Sequence, residues 1–265
     1  MRIITANLNG IRAAAKKGFF AWLLEQDADV ICVQEIKAQE ADLTLPLFHP
    51  EGYHSSFHYA EKKGYSGVGI YSKTKPKHLI TGLGWATADQ EGRYIEADFG
   101  DFCVASLYMP SGSSGDIRQT VKFDFLERYA KHLQKLQALG KDYIICGDWN
   151  IAHQKVDLKN WRGNQKTSGF LPEERAWMDH LLGPLGFTDA FRKVNQEGDQ
   201  YTWWSNRGQA WAKNVGWRID YQIVTAGLAD KVQSATIYKD TRFSDHAPVV
   251  MDYSVDFPRI PAKEG

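Results

Sequence analysis

The feature that most constrains the fold is a long succession of short apolar segments with strand character. Between Tyr53 and Tyr108 such segments follow one another without a helical segment between them. Consecutive strands without a crossover pair as antiparallel hairpins, because a parallel connection needs a dozen or more residues. The predicted strands are Arg2–Leu8, Val30–Glu35, Gly67–Ser72, Tyr94–Phe99, Phe102–Tyr108, Tyr143–Gly147, Tyr221–Val224, Ala235–Tyr238 and Val249–Tyr253.

Helical periodicity occurs in three segments that lie between these strands. Apolar residues recur at three- and four-residue steps in Ile117–Leu139, which predicts one buried face. Phe19–Gln26 has a similar pattern, and Glu173–Leu182 begins after Pro172 with two glutamates, as helix N-termini prefer. Helices mixed with hairpins predict an α/β domain in which sheets pack face to face and helices lie outside.

The chain of 265 residues has no linker long enough to divide it, so we expect one domain over residues 1–255. The last ten residues, 256–265, contain two prolines and few groups to bury, which predicts a flexible tail. No apolar run reaches the roughly 18 residues of a membrane span, and the start has no apolar signal core. We therefore expect a cytoplasmic monomer with no membrane partner. Its cysteines, Cys32, Cys103 and Cys146, are predicted to be buried reduced thiols.

The charge balance limits how this protein can bind nucleic acid. Lys and Arg total 32, and Asp and Glu total 32, so no global positive field exists. A local basic face remains compatible with this balance. Nine tryptophans exceed what a core of this size needs, and several stand beside Arg, Lys or Asn. This excess points to a binding role for some of them.

Polar residues cluster where the predicted strands end or begin. The set comprises four carboxylates, three amides and one imidazole: Glu35, Asp148, Asp220, Asp245, Asn7, Asn9, Asn150 and His246. Hard oxygen ligands with few cysteines or histidines suit Mg²⁺ or Mn²⁺ rather than structural zinc. The combination predicts a site for metal-assisted phosphoester hydrolysis.

Six of these eight residues also have a purely structural interpretation. These are a helix or turn cap at Glu35, an Asx turn at Asp148 and Asn150, a surface pair at Asp245 and His246, and a solvated ion pair of Asp220 with Arg218. No single member would support an enzyme. Only their combination favours catalysis.

Several motifs together carry a family resemblance. LNGIRAA, CVQEIK, SLYMPSG, CGDWNIAH, NVGWRIDY and SDHAPV, in this order, resemble the exonuclease III family of apurinic/apyrimidinic (AP) endonucleases, within the endonuclease/exonuclease/phosphatase superfamily. The resemblance extends from Arg2 to about Tyr253. It implies a DNase I-like four-layer α/β sandwich, in which helices flank two packed mixed β-sheets. It also implies Mg²⁺-dependent cleavage 5′ to abasic sites that leaves a 3′-hydroxyl, with 3′-phosphatase, 3′-phosphodiesterase and 3′→5′ exonuclease activity; Mn²⁺ would substitute.

The resemblance also implies roles for the catalytic residues. Glu35 would be the main metal ligand. Asp148 would position and deprotonate the attacking water, helped by Asn150. Asp220 would hold His246 in the tautomer and charge state that binds the scissile phosphate.

Four further positions match the family pattern around that centre. Tyr108 would contact the phosphate or the leaving oxygen. Asn7 would orient Asp148 or a phosphate oxygen, and Asp245 would lie beside the metal. Position 9 is Asp or Asn in the family, and Asn9 lowers the charge available to a second metal, which leaves the metal count open.

Three stretches contain basic residues and no acid, and all lie beside site motifs. They are Gly10–Leu24, Leu158–Pro172 and Gln200–Ile219. Each alone could be a solvated loop, but together they predict a rim that contacts the DNA backbone. Their basic residues are Arg12, Lys16, Lys17, Lys159, Arg162, Lys166, Arg207, Lys213 and Arg218.

The resemblance also implies a pocket for an extruded abasic sugar. Trp203, Trp217 and Ile219 match the positions that wall it, which suits chemistry on a nucleotide taken out of the stack. Ser168 and Gly169 lie in the loop above, and their small size would leave the pocket open.

Three residues near this pocket have other expected roles. Asn164 would contact a phosphate. Arg207 stands where some relatives insert an apolar wedge. Trp204 is expected in the core.

Double-stranded DNA with abasic sites or blocked 3′ ends is thus the expected partner. One alternative is an enzyme of the same family that trims 3′ ends without AP incision. An inositol or lipid phosphatase is a second alternative, although the basic, tryptophan-bearing loops match the DNA branch. The third is a DNA-binding protein whose catalytic centre has decayed.

Overall fold

The computed structural model describes residues 1–258. In chain order the strands are β1 Arg2–Asn7, β2 Val30–Gln34, β3 His54–His58, β4 Val68–Ser72, β5 His78–Thr81, β6 Tyr94–Asp98, β7 Phe102–Tyr108, β8 Asp142–Asp148, β9 Thr188–Asp189, β10 Trp203–Trp204, β11 Gly216–Trp217, β12 Asp220–Val224, β13 Val232–Ile237 and β14 Val249–Tyr253. The helices are α1 Ile11–Lys16, α2 Phe19–Glu25, α3 Ala86–Asp89, α4 Asp116–Ala138, α5 Pro172–Leu182, α6 Ala190–Val194 and α7 Ala226–Ala229. Short 3₁₀ turns occupy Glu40–Asp42, Pro46–Phe48, Lys155–Asp157 and Trp161–Asn164.

The strands form two six-stranded sheets and a small ribbon. The first sheet has the order β13-β14-β1-β2-β4-β3, and the second has the order β5-β6-β7-β8-β12-β9. Both sheets are mixed: β1 and β2 pair in parallel, as do β7 and β8, and the other neighbours pair antiparallel. The ribbon consists of β10 and β11.

Burial separates the molecule into four layers. Apolar side chains of the two sheets meet in one cluster, in which Val30 and Cys32 of the first sheet lie with Val104 and Cys146 of the second. The outer face of the first sheet packs against α1 and α2. The outer face of the second packs against α4 and α5. This arrangement confirms the predicted four-layer α/β sandwich, and the three cysteines are free and buried as predicted.

The layering brings several strand ends to one edge of the sandwich. β1 and β2 are parallel and end at Asn7 and Gln34, while β7 and β8 are parallel and end at Tyr108 and Asp148. β12 runs antiparallel to β8, so its first residue, Asp220, lies opposite Asp148. Polar residues from five strands thus converge without any long loop to carry them.

The packed chain extends slightly beyond the predicted domain end. Phe257 is buried, and its ring lies 5.1 Å from that of Phe99 and 6.2 Å from that of Phe102. Phe257 lies within the predicted tail, 256–265, and its aromatic side chain covers the open end of the core. Residues 259–265 lie outside the described residues. Among residues 1–258, no helix has the length and apolar character that crossing a bilayer requires.

A buried ionic network surrounds Arg218, which lies between β11 and β12. Arg218 is 1% exposed; its Nε donates to Asp157 Oδ1 at 2.8 Å and its Nη2 to Asp189 Oδ2 at 2.7 Å. Arg192 Nη2 also donates to Asp157, at 2.6 Å. The prediction of Arg218 in the DNA-contacting rim is therefore wrong, because distant acids bury and neutralise it.

We expect Asp157→Asn to destabilise the fold at neutral pH and much less in acid. Burial alone would raise the pKa of Asp157, but Arg218 and Arg192 lower it from 3.8 to about 2. Its charge therefore stabilises the folded state above about pH 4, and this contribution, about 2 kcal/mol, is lost as the pH falls towards 2. Removing the charge also leaves Arg218 under-neutralised, so we expect a total loss of about 3 kcal/mol at neutral pH. Urea unfolding at about pH 7 and about pH 3 measures both values; an equal loss at both would contradict the assignment.

Candidate active site

Three residues at the strand ends adopt left-handed backbone conformations. Asn9, Glu35 and Asn150 have φ values of 44°, 47° and 51°. Asparagine tolerates this region, but glutamate rarely occupies it without support from its surroundings. Such strain is concentrated at functional sites, where the fold holds a side chain in one direction. The turn at Glu35 directs its carboxylate towards the end of β1.

Asn7 joins the two sheets at this edge. It is 2% exposed, and its Nδ2 donates to Glu35 Oε1 and to Asp148 Oδ2, both at 2.9 Å. Its Oδ1 accepts the backbone N–H of Asn9 at 2.9 Å. A neutral amide thus holds two carboxylates close together without cancelling their charge.

The Asx turn considered for Asp148 is present, and it does not remove the residue from the site. Asp148 Oδ1 accepts the N–H of Asn150 at 2.9 Å, and Asn150 Nδ2 donates to the carbonyl of Met109 at 2.8 Å. Burial raises the pKa of Asp148 well above its usual 3.8; the charges of Asp220 and Glu35 add to this effect, and His246 opposes it. A carboxylate in this environment is a stronger proton acceptor than an exposed one.

Asp220 forms its ion pair with His246 and not with Arg218. His246 Nδ1 lies 2.9 Å from Asp220 Oδ2, and Nε2 lies 3.9 Å from Asp148 Oδ2. Burial alone would lower the pKa of His246, but Asp220, Asp148 and Asp245 outweigh it and raise the value to about 10. The imidazole therefore carries a positive charge at neutral pH, which favours an anion in front of it.

The donor set fits a hard divalent cation. Donor atoms of Glu35, Asp148 and His246 lie within 4.8 Å of one another. Because a protonated imidazole cannot ligate a metal, the groups here that could hold such a cation are the two carboxylates. The contacts of Lys37 support this fit. Its Nζ lies 3.0 Å from Glu35 Oε2 and also donates to Asn9 Oδ1. Oxygen atoms of Glu35 and Asn9 thus already surround one positive charge.

Asn9 and Asp245, the other predicted metal residues, lie beside this group. Asn9 Nδ2 donates to Asp245 Oδ1 at 2.9 Å, and Trp203 Nε1 donates to Asp245 Oδ2 at 3.1 Å. Both carboxylate oxygens of Asp245 therefore accept hydrogen bonds from neighbouring side chains. Glu35 is the predicted ligand that the geometry favours most directly.

A cavity of about 360 Å³ opens beside these groups. It is lined by Glu35, Tyr108, Ser111, Ser113, Asp148, Asn150, Thr167, Ser168, Gly169, Trp203, Trp217, Ile219, Asp245 and His246. Trp203 and Trp217 meet edge to face, with ring centroids 6.3 Å apart, and form an apolar wall. The predicted pocket residues Ser168, Trp203, Trp217 and Ile219 therefore come together, whereas Ser111, Ser113 and Thr167 were missed. The serine-rich stretch that follows Tyr108 was the available signal for the first two.

Tyr108 is fixed at the floor of this cavity by a residue that sequence reasoning missed. The buried Arg93 guanidinium stacks 4.7 Å from the Tyr108 ring, and its Nη1 donates to the Tyr108 carbonyl at 2.9 Å. Burial raises the pKa of the Tyr108 hydroxyl, and the charge of Glu35 adds to this, partly offset by Arg93. The phenol therefore stays protonated and is available as a hydrogen-bond donor.

The predicted basic rim is present in part. Arg207 and Lys213 are exposed in the loop that joins β10 to β11, and Arg162 and Lys166 are also exposed. Lys16 and Lys17 are exposed as well, whereas some members of the three stretches contact other residues of the protein. Lys159 pairs with Asp199, Arg12 pairs with Asp42, and Asn164 Nδ2 donates to the carbonyl of Asn160, away from the cavity lining. Trp204 is buried in the core as predicted.

Comparison with known proteins identifies the family. Residues 4–246 match the Endonuclease/Exonuclease/phosphatase family. The chain is 41% identical to an exodeoxyribonuclease of Bacillus subtilis over 252 residues, which are 94% of this chain and 98% of that one. It is 37% identical to the DNA repair nuclease APEX1 of Danio rerio over 260 residues, 96% of this chain and 83% of that one. A solved AP endonuclease from Archaeoglobus fulgidus superposes with a TM-score of 0.86 at 28% identity and covers 96% of this chain and 100% of that one. The chain therefore belongs to the endonuclease/exonuclease/phosphatase family, which confirms the resemblance that its motifs carried.

Proposed function

We propose that this protein is a DNA-repair phosphodiesterase that cleaves 5′ to abasic sites and leaves a 3′-hydroxyl. One observation carries the proposal: the group formed by half-buried Glu35 with buried Asp148 and His246 adjoins a pocket walled by Trp203 and Trp217. The three-residue group supplies the chemistry of phosphoester hydrolysis, and the pocket supplies room for a sugar that carries no base. The relatives with named nuclease and AP endonuclease activities support the same reading.

The ion we propose is Mg²⁺, with Mn²⁺ as a substitute, held by Glu35 and Asp148 with help from Asn7. When bound, such an ion withdraws charge from a phosphoryl oxygen and stabilises the leaving alkoxide. The pKa of Asp148 is raised by burial, so this carboxylate accepts a proton from the attacking water. Asn150 stabilises the turn that orients Asp148, so that the attacking water is positioned for attack on the phosphorus atom.

The remaining groups act on the phosphate itself. His246 faces the cavity as an imidazolium, and Asp220 on its Nδ1 holds both its ring plane and its charge. Positive charge placed where negative charge develops lowers the barrier, because it needs no reorganisation during the reaction. The protonated hydroxyl of Tyr108 donates to the phosphate or to the leaving oxygen. Water attacks phosphorus and its proton passes to Asp148, while the bond from phosphorus to the 3′-oxygen breaks. The leaving 3′-oxygen takes a proton from solvent and becomes the 3′-hydroxyl.

The pocket favours an abasic nucleotide over an intact one. Its tryptophan walls and Ile219 suit the apolar face of a deoxyribose, and a missing base makes extrusion from the duplex cheaper. Ser168 in the covering loop leaves room for entry. Exposed Arg207, Lys213, Arg162 and Lys166 are proposed backbone contacts. We propose that the same centre removes 3′-terminal phosphates and nucleotides.

The proposed location is the cytoplasm and the proposed state is a monomer. The cysteines support a reducing compartment, since all are free and buried. Double-stranded DNA with an abasic site or a blocked 3′ end is the proposed partner.

Metal removal tests the proposal. We expect the protein to incise a duplex that carries one stable abasic analogue in the presence of Mg²⁺, and to lose this activity in EDTA by about 10³-fold or more. A parallel duplex that ends in a 3′-phosphate reports end trimming. Phosphate release without incision would move the protein to the end-trimming alternative. Incision that persists in EDTA would contradict metal-assisted hydrolysis.

A further inference from the structure

A buried ion pair lies behind the wall of the pocket and is not part of the constellation described above. Lys122 on α4 and Glu174 on α5 are both 0% exposed, and Lys122 Nζ lies 2.6 Å from Glu174 Oε1. Lysine and glutamate are rarely fully buried unless they are paired. A pair of this kind is weak evidence for a stabilising role, since apolar residues often serve as well. Its contacts indicate what else it does.

Glu174 holds the loop that covers the pocket. Its Oε2 accepts the backbone N–H of Gly169 at 2.6 Å and of Leu171 at 3.0 Å. Both donors belong to the covering loop, residues 167–171, which also carries Ser168. A charged acceptor that binds two amides of the same loop fixes the position of this backbone more firmly than neutral contacts would.

Lys122 links the ion pair to the catalytic turn, residues 148–150, which carries Asp148 and Asn150. Its Nζ donates to the carbonyl of Asn150 at 2.7 Å, and the N–H of Ala152 donates to the carbonyl of Gly169 at 2.8 Å. The turn also has anchors of its own, because the side chain of Asn150 donates to Met109 and its N–H donates to Asp148. Loss of the ion pair would therefore disturb the covering loop more than the catalytic turn.

The covering loop has little freedom to shift without closing the pocket. Gly169 has φ of +94°, and a Cβ added there would lie 3.1 Å from the Asn150 carbonyl oxygen and 3.2 Å from the Trp217 ring. The backbone of this loop thus rests directly on the catalytic turn and on one pocket wall. Movement of a few tenths of an ångström alters the space in which a sugar would lie.

We propose that the Lys122–Glu174 pair is a specificity-determining positioning device, which sets the height of the covering loop and thereby favours incision at an abasic site over removal of a 3′-terminal phosphate. The inference rests on the proposed function. At an internal abasic site a sugar lies beyond the scissile phosphate and must occupy the pocket under the loop. A 3′-terminal phosphate has no group beyond it, so its hydrolysis uses the catalytic residues and leaves the pocket empty.

The test is a double variant, Lys122→Met with Glu174→Gln, which removes both charges, keeps the side-chain length at position 174 and shortens the side chain at position 122 by one atom. kcat and KM are measured on the abasic-analogue duplex and on the 3′-phosphate duplex with the same preparation. Because small misplacements are costly in rate, we expect kcat/KM for incision to fall by about tenfold to a hundredfold. We expect kcat/KM for phosphate release to stay within about threefold. The matched control changes the exposed pair Lys131 and Glu127 on the same helix in the same way and should leave both reactions unaltered.

A second variant tests the loop without touching the ion pair. Gly169→Ala moves the covering loop away from Asn150 and Trp217, so it should reproduce the selective loss of incision even if the double variant folds poorly. Equal losses in both reactions with a lowered melting temperature, in both variants, would show that the pair only supports the fold. Suppose that the unmodified protein incises the abasic duplex and that the variants keep the same ratio of kcat/KM for incision to kcat/KM for phosphate release. That result would overturn this inference alone. No incision by the unmodified protein would overturn the proposed function and this inference with it.

Discussion

Asp148→Asn should abolish turnover while leaving DNA binding intact. Asparagine has nearly the same shape, and its single carbonyl oxygen can keep one of the two hydrogen bonds that the carboxylate accepts from Asn7 and from the N–H of Asn150, but it cannot accept a proton from water. Loss of the general base alone costs about 10²–10⁴-fold in rate, and Asp148 is also a proposed metal ligand, so we expect a fall of at least about 10³-fold. Single-turnover incision and fluorescence anisotropy with labelled DNA measure the two properties.

Asp124→Asn is a suitable control for that variant. Asp124 is an exposed acid on α4 that pairs with Arg128 in the same helix, and its loss should alter neither rate nor affinity. Turnover of the Asp148 variant within about tenfold of the original would remove Asp148 from the role of base. Unchanged behaviour in every assay would favour the alternative of a DNA-binding protein with a decayed centre.

Asp220→Asn should reduce kcat by about 10²–10³-fold with a smaller effect on KM. Asp220 Oδ2 accepts the Nδ1 proton of His246, and its carboxylate is the main group that raises the pKa of His246 to about 10. A neutral amide in this place lowers that pKa and thus removes positive charge from the face of the cavity at neutral pH. Steady-state kinetics on the abasic-analogue duplex measure the effect, with Asp240→Asn at an exposed position as the control. A kcat equal to that of the unmodified protein would show that the pair does not act on the transition state.

Strands in the middle of the sheets could be predicted from sequence, and so could part of the edge strand β13, whereas the edge strands β3 and β5 could not. β7 and β8 are buried at nearly every position, so they appear as continuous apolar runs. β3 reads HSSFH and lies at the edge of the first sheet, and β5 reads HLIT and is exposed throughout at the edge of the second. Edge strands need no apolar face on both sides, so the signal that marks the central strands is absent from them.

The catalytic residues could be predicted because strand ends carry them. Asn7, Asp148 and Asp220 each end or begin an apolar strand, and parallel neighbours end at the same edge of a sheet. Lys37 and Arg93 escaped prediction, because an isolated basic residue near a motif gives no sign of the carboxylate or ring that it contacts. Their partners are set by the packing of the two sheets.

The same limit explains the residues that were assigned wrongly. Arg218 stands in a stretch without acids, yet Asp157, which lies 61 residues away in sequence, buries and neutralises it. Lys122 is the opposite case, because it is a charged residue that is buried. The helical periodicity predicted burial only for the apolar residues of α4 and gave no sign that Lys122 lies on the same buried side. A charge is exposed or buried according to tertiary contacts that local patterns do not contain.

Incision of an abasic duplex in ¹⁸O-labelled water tests the central claim most directly. If water attacks phosphorus and the bond to the 3′-oxygen breaks, one ¹⁸O atom enters the phosphate of the downstream fragment, and the upstream fragment ends in a 3′-hydroxyl that a polymerase extends. Mass spectrometry of both fragments reads out each feature. An unlabelled phosphate with an unsaturated aldehyde at the upstream 3′ end would instead mean β-elimination at the sugar, and the account of Glu35, Asp148 and His246 as a hydrolytic centre would be wrong.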